Sequence, residues 1–307
     1  MGNLSTREAY GQALAALGET NEFLVLDADL SKATQTVAFA NKYPERFFNI
    51  GIAEGDMMTT AAGMATTGKT VFASTFAMFA AGRAYEQIRN SIAYTGLNVK
   101  IGATHGGILI GEDGASHQCI EDISLMRTIP NMTVIVPCDE CSVYEAVKAS
   151  IEYDGPVYLR FGRMSNAPVY TKETAKFEIG KGNVLKDGSD LTIIAIGDLV
   201  SEALVAAEEL EKRGVSVAVI DMACVKPIDK ELVLKYAEKT GKIITAEDHN
   251  VIGGLGSAVA EILAEESSAK LRRVGAQDVF GGSGTREMLA EAYKLNAAGI
   301  LEMFDTF

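Results

Sequence analysis

The sequence predicts an α/β protein of two domains, each a mostly parallel sheet flanked by helices. Three observations lead there. Short apolar runs alternate with longer helical stretches, the pattern of βαβ units whose sheet is covered on both faces. The series breaks once, at a cluster of turn formers past the middle, and then resumes. The length of 307 residues, at roughly 150 per domain, accommodates two such units.

Taken in order, Ser5 followed by Arg7, Glu8 and Ala9 reads as an N-cap opening the first helix, with Glu8 completing a capping box. Residues 22–26 (EFLVL), 71–76, 99–103 and 133–136 read as buried strands, and 83–95 as a helix between two of them. The turn residues Asp187, Gly188, Ser189 and Asp190 open the second series. It runs strand 191–196, helix from about 201 to 213, Gly214 as the helix stop, and strand 215–220, followed by strands 242–246 and 271–274. The stretch 167–190, which contains Pro168, is the linker candidate. The expected domains are 1–172 and 188–307, joined by 173–187.

With 48% hydrophobic residues the chain has enough apolar material for a full core. It carries 28 basic against 41 acidic residues, a net charge of −13, and no basic cluster, so it is expected not to bind nucleic acid. No apolar run approaches the roughly 18 residues needed to span a bilayer, and no secretory leader is visible, so no membrane association is expected. Four cysteines are too few for a disulfide scaffold of this size and suit a reducing cytoplasm.

Several motifs tempt. Gly63 to Thr70 (GMATTGKT) fits the phosphate-loop pattern letter for letter, but a phosphate loop follows a strand and precedes a helix, whereas here a helix precedes and a strand follows. Cys138 and Cys141 form a C-x-x-C, yet no second pair or nearby histidine completes a zinc set, and Asp139 suits the start of a helix. Met1, Gly2 and Thr6 match a myristoylation template that competes with the Ser5 cap. Gly253 to Gly256 and Gly281 to Gly284 each precede a helical run, where a glycine loop can hold an anion or simply connect.

Three segments of the first domain gather chemistry. Glu54, in IGIAEGDM, follows an apolar run and opens a helix. It is either a carboxyl at the core edge, fitted for proton transfer by desolvation, or a first-turn acid favoured by the helix dipole. Phe76 and Phe79 stand three apart at a strand-to-helix junction, spaced to sandwich a heteroaromatic ring or to fill core. The segment ATHGGILIGEDGASHQ follows a strand and holds His105 and His117, two of the three histidines, with Glu112 and Asp113 between them. Ligands in open α/β sheets bind outside the carboxyl ends of strands, where this loop lies. No ligand spacing in it is diagnostic of a metal.

In order, IGIAEGDM, ASTFAMF, ATHGGILIGEDGASHQ and RTIPNMTVIVP resemble the pyrimidine-binding domain of transketolases, and the second half, through VGAQDVFGGSG, resembles their carboxy-terminal domain. The resemblance spans nearly the whole chain. It implies a thiamine diphosphate enzyme that moves a two-carbon ketol unit between sugars. Glu54 matches the acid that hydrogen-bonds the aminopyrimidine ring of the cofactor, and Phe76 and Phe79 match the aromatics around that ring. His105, Asp113 and His117 match residues that contact sugar hydroxyls or transfer protons, and Asp29 matches an acid near the thiazolium side. Arg163 matches a phosphate-binding arginine, with Arg160 the second candidate. The chain departs from the family at Gly55, where a histidine is usual, at Gly82, where a third aromatic is, and at Ala33, where a phosphate-binding serine aligns beside Thr34.

Thiamine diphosphate enzymes hold magnesium and the diphosphate through G-D-G and a later Asn in an amino-terminal domain. Lys186-Asp187-Gly188 and Glu112-Asp113-Gly114 lack the leading glycine. The resemblance therefore implies the carboxy-terminal subunit of a two-chain transketolase, inactive without an amino-terminal partner that supplies the magnesium site, in a symmetric dimer of two-chain units. Glu54 and Phe76 are then expected to be incompletely covered in this chain by itself. Deoxyxylulose-phosphate synthase, which normally lacks a histidine matching His105, the beta subunit of a 2-oxo acid dehydrogenase, and a non-catalytic subunit of the same fold are the alternatives.

Overall fold

In the computed structural model, which describes residues 4–307, the apolar runs become strands of two sheets. The first half supplies β1 (Phe23–Asp27), β2 (Phe47–Asn49), β3 (Thr70–Phe76), β4 (Val99–Thr104), β5 (Thr133–Ile135) and β6 (Val157–Arg160). The second supplies β7 (Asn183–Lys186), β8 (Leu191–Ala195), β9 (Val217–Asp221), β10 (Cys224–Lys226), β11 (Lys242–Asn250) and β12 (Lys270–Ala276). The orders are β10-β5-β6-β4-β3-β1-β2 and β12-β11-β8-β9-β7. Only the edge pairs β10–β5 and β7–β9 are antiparallel. β4, β8 and β9 are buried at every residue, because helices cover both faces, and their sequences are accordingly mostly apolar and do not alternate.

Two edge strands depart from the expected division of the chain. β7 falls inside the connection expected at 173–187, and β10, from the second half, closes the first sheet by pairing with β5. Edge strands make half the ladder hydrogen bonds and need no continuous apolar run, so NVLK and CVK do not announce themselves. The cores are shared as well. Ile108, Leu109 and Ile120 pack in one cluster with Leu191, Ile193, Val219 and Ile244. Ile194, Ile220 and Val259 join the cluster of Met57, Ile88 and Ile101. The two halves therefore form one packed body.

Local features follow the chemistry of the chain. Ser5 caps the helix Thr6–Leu17 with Glu8 in a full capping box, whereas Met1 and Gly2 of the lipidation template lie outside the described residues. The GMATTGKT segment ends the helix Glu54–Ala65 and enters β3, the reverse of a phosphate loop. Asp139 caps the helix Glu140–Glu152 through Ser142 N–H at 2.9 Å, and Cys138 and Cys141 are free thiols. The helix expected over 83–95 is instead a short α-turn, Tyr85–Gln87, between π-helical turns Phe79–Arg83 and Ile88–Ala93. Such widened turns re-aim side chains and are frequent at functional sites. Among the described residues no helix is long and apolar enough to cross a membrane.

One buried acid makes stability pH-dependent. Asp221, the last residue of β9, accepts from Tyr170 O–H at 2.8 Å. Burial raises its pKa from 3.8 to about 7 despite that hydrogen bond. The folded protein thus holds a proton that the unfolded chain releases near pH 4, so this contribution is complete below that value and lost as pH rises through 7. Asp221→Asn is expected to lose less stability between pH 5 and pH 8 than the parent, by about 2 kcal/mol in urea titrations. Identical pH dependence of the two proteins would refute the assignment.

Candidate active site

The parallel strands β1, β2, β3 and β4 end on one side of the first sheet, and the loops that leave them carry the candidate residues. Glu54 begins the helix that follows β2, where the helix dipole favours an acid in the first turn. Phe76 ends β3, and Phe79 opens the π-helical turn. Their rings stack at 5.6 Å and 20°. His105, directly after β4, lies 3.8 Å from Phe76 between ring centroids, and His117 meets the edge of Phe79 at 5.5 Å. The structure therefore brings Glu54, Phe76, Phe79, His105 and His117 towards one another, with Arg83 as the link between the acid and the aromatics.

The sequence reading missed Arg83. Its Nη1 donates to both oxygens of Glu54 at 2.9 Å, and its guanidinium lies 4.4 Å over the Phe79 ring. This corrects the expectation that Glu54 and Phe76 are incompletely covered. Glu54 is 2% exposed and Phe76 7%, while the Arg83 side chain that covers the acid is 52% exposed. The layer open to solvent is one residue further out, at Arg83 and at Ile52, which is 79% exposed two residues before the acid. A charged residue in an expected helix reads as solvated surface, so Arg83 did not announce itself.

A second group centres on two arginines. Arg163 Nη1 lies 3.2 Å from Asp113 and donates to Ile110 O at 2.9 Å. Arg7, also missed in the sequence, donates through Nε to Arg163 O at 3.1 Å and through Nη1 to Ala33 O at 2.9 Å. Burial, aided by the charges of Arg7 and Arg163, lowers the pKa of His105 to about 3. The imidazole is thus neutral at physiological pH, with Nδ1 hydrogen-bonded to Thr104 Oγ1 at 2.9 Å. Arg160, the second phosphate candidate, is corrected to a structural role: it is 5% exposed, and its Nε donates to Asp122 at 2.8 Å.

Other candidates stand apart. Asp29 is exposed in a left-handed turn after β1 with φ 64°, and its carboxylate accepts from Asn49 Nδ2 at 2.9 Å rather than from a member of the aromatic group. Thr34, beside Ala33, is buried and donates to Asp27 at 2.7 Å, so its hydroxyl is committed elsewhere. The glycine loop 253–256 does hold a carboxyl group, but one from this chain: Glu247 accepts from Leu255 N–H at 2.7 Å and Gly256 N–H at 2.8 Å. Burial raises the pKa of that carboxyl to about 7 despite those bonds. Among the described residues no three His, Cys, Asp or Glu side chains gather as a metal set.

A buried acid beside stacked aromatics, at the carboxyl edge of a parallel sheet that a second α/β domain completes, is the arrangement of a pyrimidine-binding domain joined to its carboxy-terminal partner domain. The profile described as the transketolase pyrimidine-binding domain matches residues 2–168, and that of the transketolase C-terminal domain matches residues 180–300. The chain belongs to the transketolase family. It is 53% identical over 297 residues to a protein of Methanocaldococcus jannaschii provisionally named a transketolase C-terminal section, covering 96% of this chain and 93% of that one. It is 42% identical over 296 residues to a 6-deoxy-6-sulfo-D-fructose transketolase subunit of Clostridium sp. (strain MSTE9), covering 96% and 92%. A solved structure described as a split-gene transketolase in an inactive beta4 tetramer superposes with a TM-score of 0.92 at 53% identity, covering 99% of this chain and 98% of that one.

The Glu54–Arg83 pair tests the site without any ligand. Arg83→Met leaves a buried carboxylate without its cation, and the expected loss is about 1–3 kcal/mol, reduced from that of a fully buried pair because Arg83 is half exposed. Arg83→Lys is expected to restore part of it in urea titrations. An unchanged midpoint in Arg83→Met would refute the pairing.

Proposed function

We propose that the chain is the catalytic-acid subunit of a two-chain, thiamine diphosphate-dependent transketolase that transfers a two-carbon ketol unit from a ketose to an aldose. The observation that supports it best is the buried Glu54 carboxylate within a hydrogen bond of a half-exposed cation that itself lies on Phe79. These residues fit an aminopyrimidine ring: the stacked pair Phe76 and Phe79 offers an apolar wall, and Glu54 offers an acid in low dielectric. The bound cofactor would supply an electron sink at the substrate carbonyl carbon. Glu54, buried at the start of its helix, would hold the hydrogen bond to the ring nitrogen. Asp29 would lie towards the thiazolium side. Magnesium and the diphosphate would be held by an amino-terminal partner subunit, with two copies of each chain assembled around shared sites. Ile52, exposed beside Glu54, suits a surface covered by such a neighbour.

Neutral His105 would exchange hydrogen bonds with a sugar hydroxyl through the ring nitrogen that Thr104 does not hold. Asp113 would accept from a second hydroxyl, and His117, with Nδ1 sharing a hydrogen bond with Ser116 at 3.0 Å, would carry a proton to or from the sugar oxygen. Arg163 and Arg7 are fitted to grip an anionic end in bidentate fashion. A sugar phosphate is the substrate class we favour. The sugars in the names of the sulfofructose relative and of an apulose-4-phosphate transketolase subunit of Phocaeicola vulgatus, 37% identical over 298 residues, each bear an anionic group. The free cysteines suit a cytoplasmic setting.

The chain purified by itself is expected to show no ketol transfer. Mixed with its amino-terminal partner, thiamine diphosphate and magnesium, it is expected to act on ketose phosphates, and Glu54→Ala in that complex to lower kcat by about 10²–10⁴-fold. Near-parental turnover by Glu54→Ala, or robust turnover by the isolated chain, would overturn the reading.

A further inference from the structure

The loop from His105 to Gln118 holds three residues given sugar contacts, yet it opens on a residue in an unfavourable backbone conformation and turns at three glycines. His105 has φ 61°, unusual for a residue with a side chain, and Gly107, Gly111 and Gly114 have φ 93°, 95° and 72°. What holds it comes from the other domain. Asp248, on β11, accepts from Ile108 N–H at 2.8 Å and Leu109 N–H at 3.0 Å, one carboxylate oxygen to each. A Cβ at position 107 would collide with the same carboxylate, so Gly107 lets the two approach. Asp248 is itself fixed, because its carbonyl accepts from Arg160 Nη2 at 2.8 Å.

The far end of the loop is gripped as well. Gln118 Nε2 donates to Gly282 O at 2.8 Å, and Ser283 Oγ to Glu112 O at 2.6 Å. His105, Asp113 and His117 therefore stand on a span clasped at both ends by a domain that contributes none of them. We propose that the carboxy-terminal domain sets the geometry of substrate binding, with Asp248 as the positioning residue and Ser283 as the second clasp. This rests on the ketol-transfer reading only for what the loop binds; the clasp itself is independent of it. Two charge-assisted hydrogen bonds to adjacent amides fix both the position and the tilt of the peptide plane between them, and through it the direction of His105.

The test uses Asp248→Asn and Ser283→Ala in the reconstituted two-chain complex. In Asp248→Asn one amide N–H faces an NH₂ group, and hydrogen exchange at Ile108 and Leu109 is expected to quicken about tenfold, the effect of one buried hydrogen bond. KM for the ketose is expected to rise by about tenfold with kcat within about threefold, while thiamine diphosphate affinity, read by fluorescence titration, stays at the parental value. Ser283→Ala, a change at an exposed hydroxyl, is expected to quicken exchange over residues 112–117 and raise KM by a smaller factor. Parental exchange at Ile108 and Leu109 in Asp248→Asn, or a fall in kcat with unchanged KM, would overturn the proposal. Should Asp248→Asn fail to fold, parental loop exchange and KM in Ser283→Ala would do so. A parent complex without ketol transfer would defeat the functional reading alone, and the exchange rates would still judge the clasp.

Discussion

The ion pair between Arg160 and Asp122 is the contact on which the rest of the molecule hangs. Arg160 ends β6, Asp122 opens the helix Asp122–Thr128, and both are shut away from water. Removing either partner would strand a bare charge in the interior, which costs far more than the pair contributes. Burial acts to lower the pKa of Arg160, but Asp122 and Asp248 more than offset it and raise it. Its Nη2 donates to Cys119 O at 3.2 Å and to Asp248 O, and Tyr158 O–H donates to Asp122 at 2.8 Å. One guanidinium thereby joins the first sheet, the end of the histidine loop and the second domain.

That junction explains what could be read in the sequence and what could not. The interior strands were legible because burial on both faces writes an unbroken apolar run, as in EFLVL. The histidine loop was legible because polar residues and glycines crowd into it straight after such a run. β7 and β10 were not, since edge pairing is made by backbone groups that any sequence carries. Arg7, Arg83 and Asp248 were not either. Each acts on a residue far along the chain, Arg7 on Arg163 and Asp248 on Ile108, and a lone charged side chain gives no local sign of a distant partner. Arg160 misled for the same reason, because its neighbour Arg163 has identical chemistry and only burial separates their roles.

The charge distribution carries a further consequence. A chain of net charge −13 repels anions at long range, so any anionic substrate must be held by local fields. On the proposed reading Arg7, Arg83 and Arg163 would supply them, since the one carboxylate paired to each of Arg83 and Arg163 leaves part of each guanidinium fork unengaged by acid.

Two of these arginines, Arg7 and Arg163, act together with burial on His105. A protonated imidazole in that place would face burial and the two cations Arg7 and Arg163 together, so it stays neutral. A neutral ring can donate on one nitrogen and accept on the other, which suits a sugar hydroxyl, itself both donor and acceptor. An imidazolium there would compete with the arginines for the anionic end of the ligand and pull it out of register. With the histidine kept uncharged by burial and by these cations, the proposed reading divides the labour: charge would be read at Arg7 and Arg163, and hydroxyl geometry at His105. That division holds only while the loop keeps His105 at its angle to Phe76, and the clasp from β11 therefore bears on recognition as much as on stability.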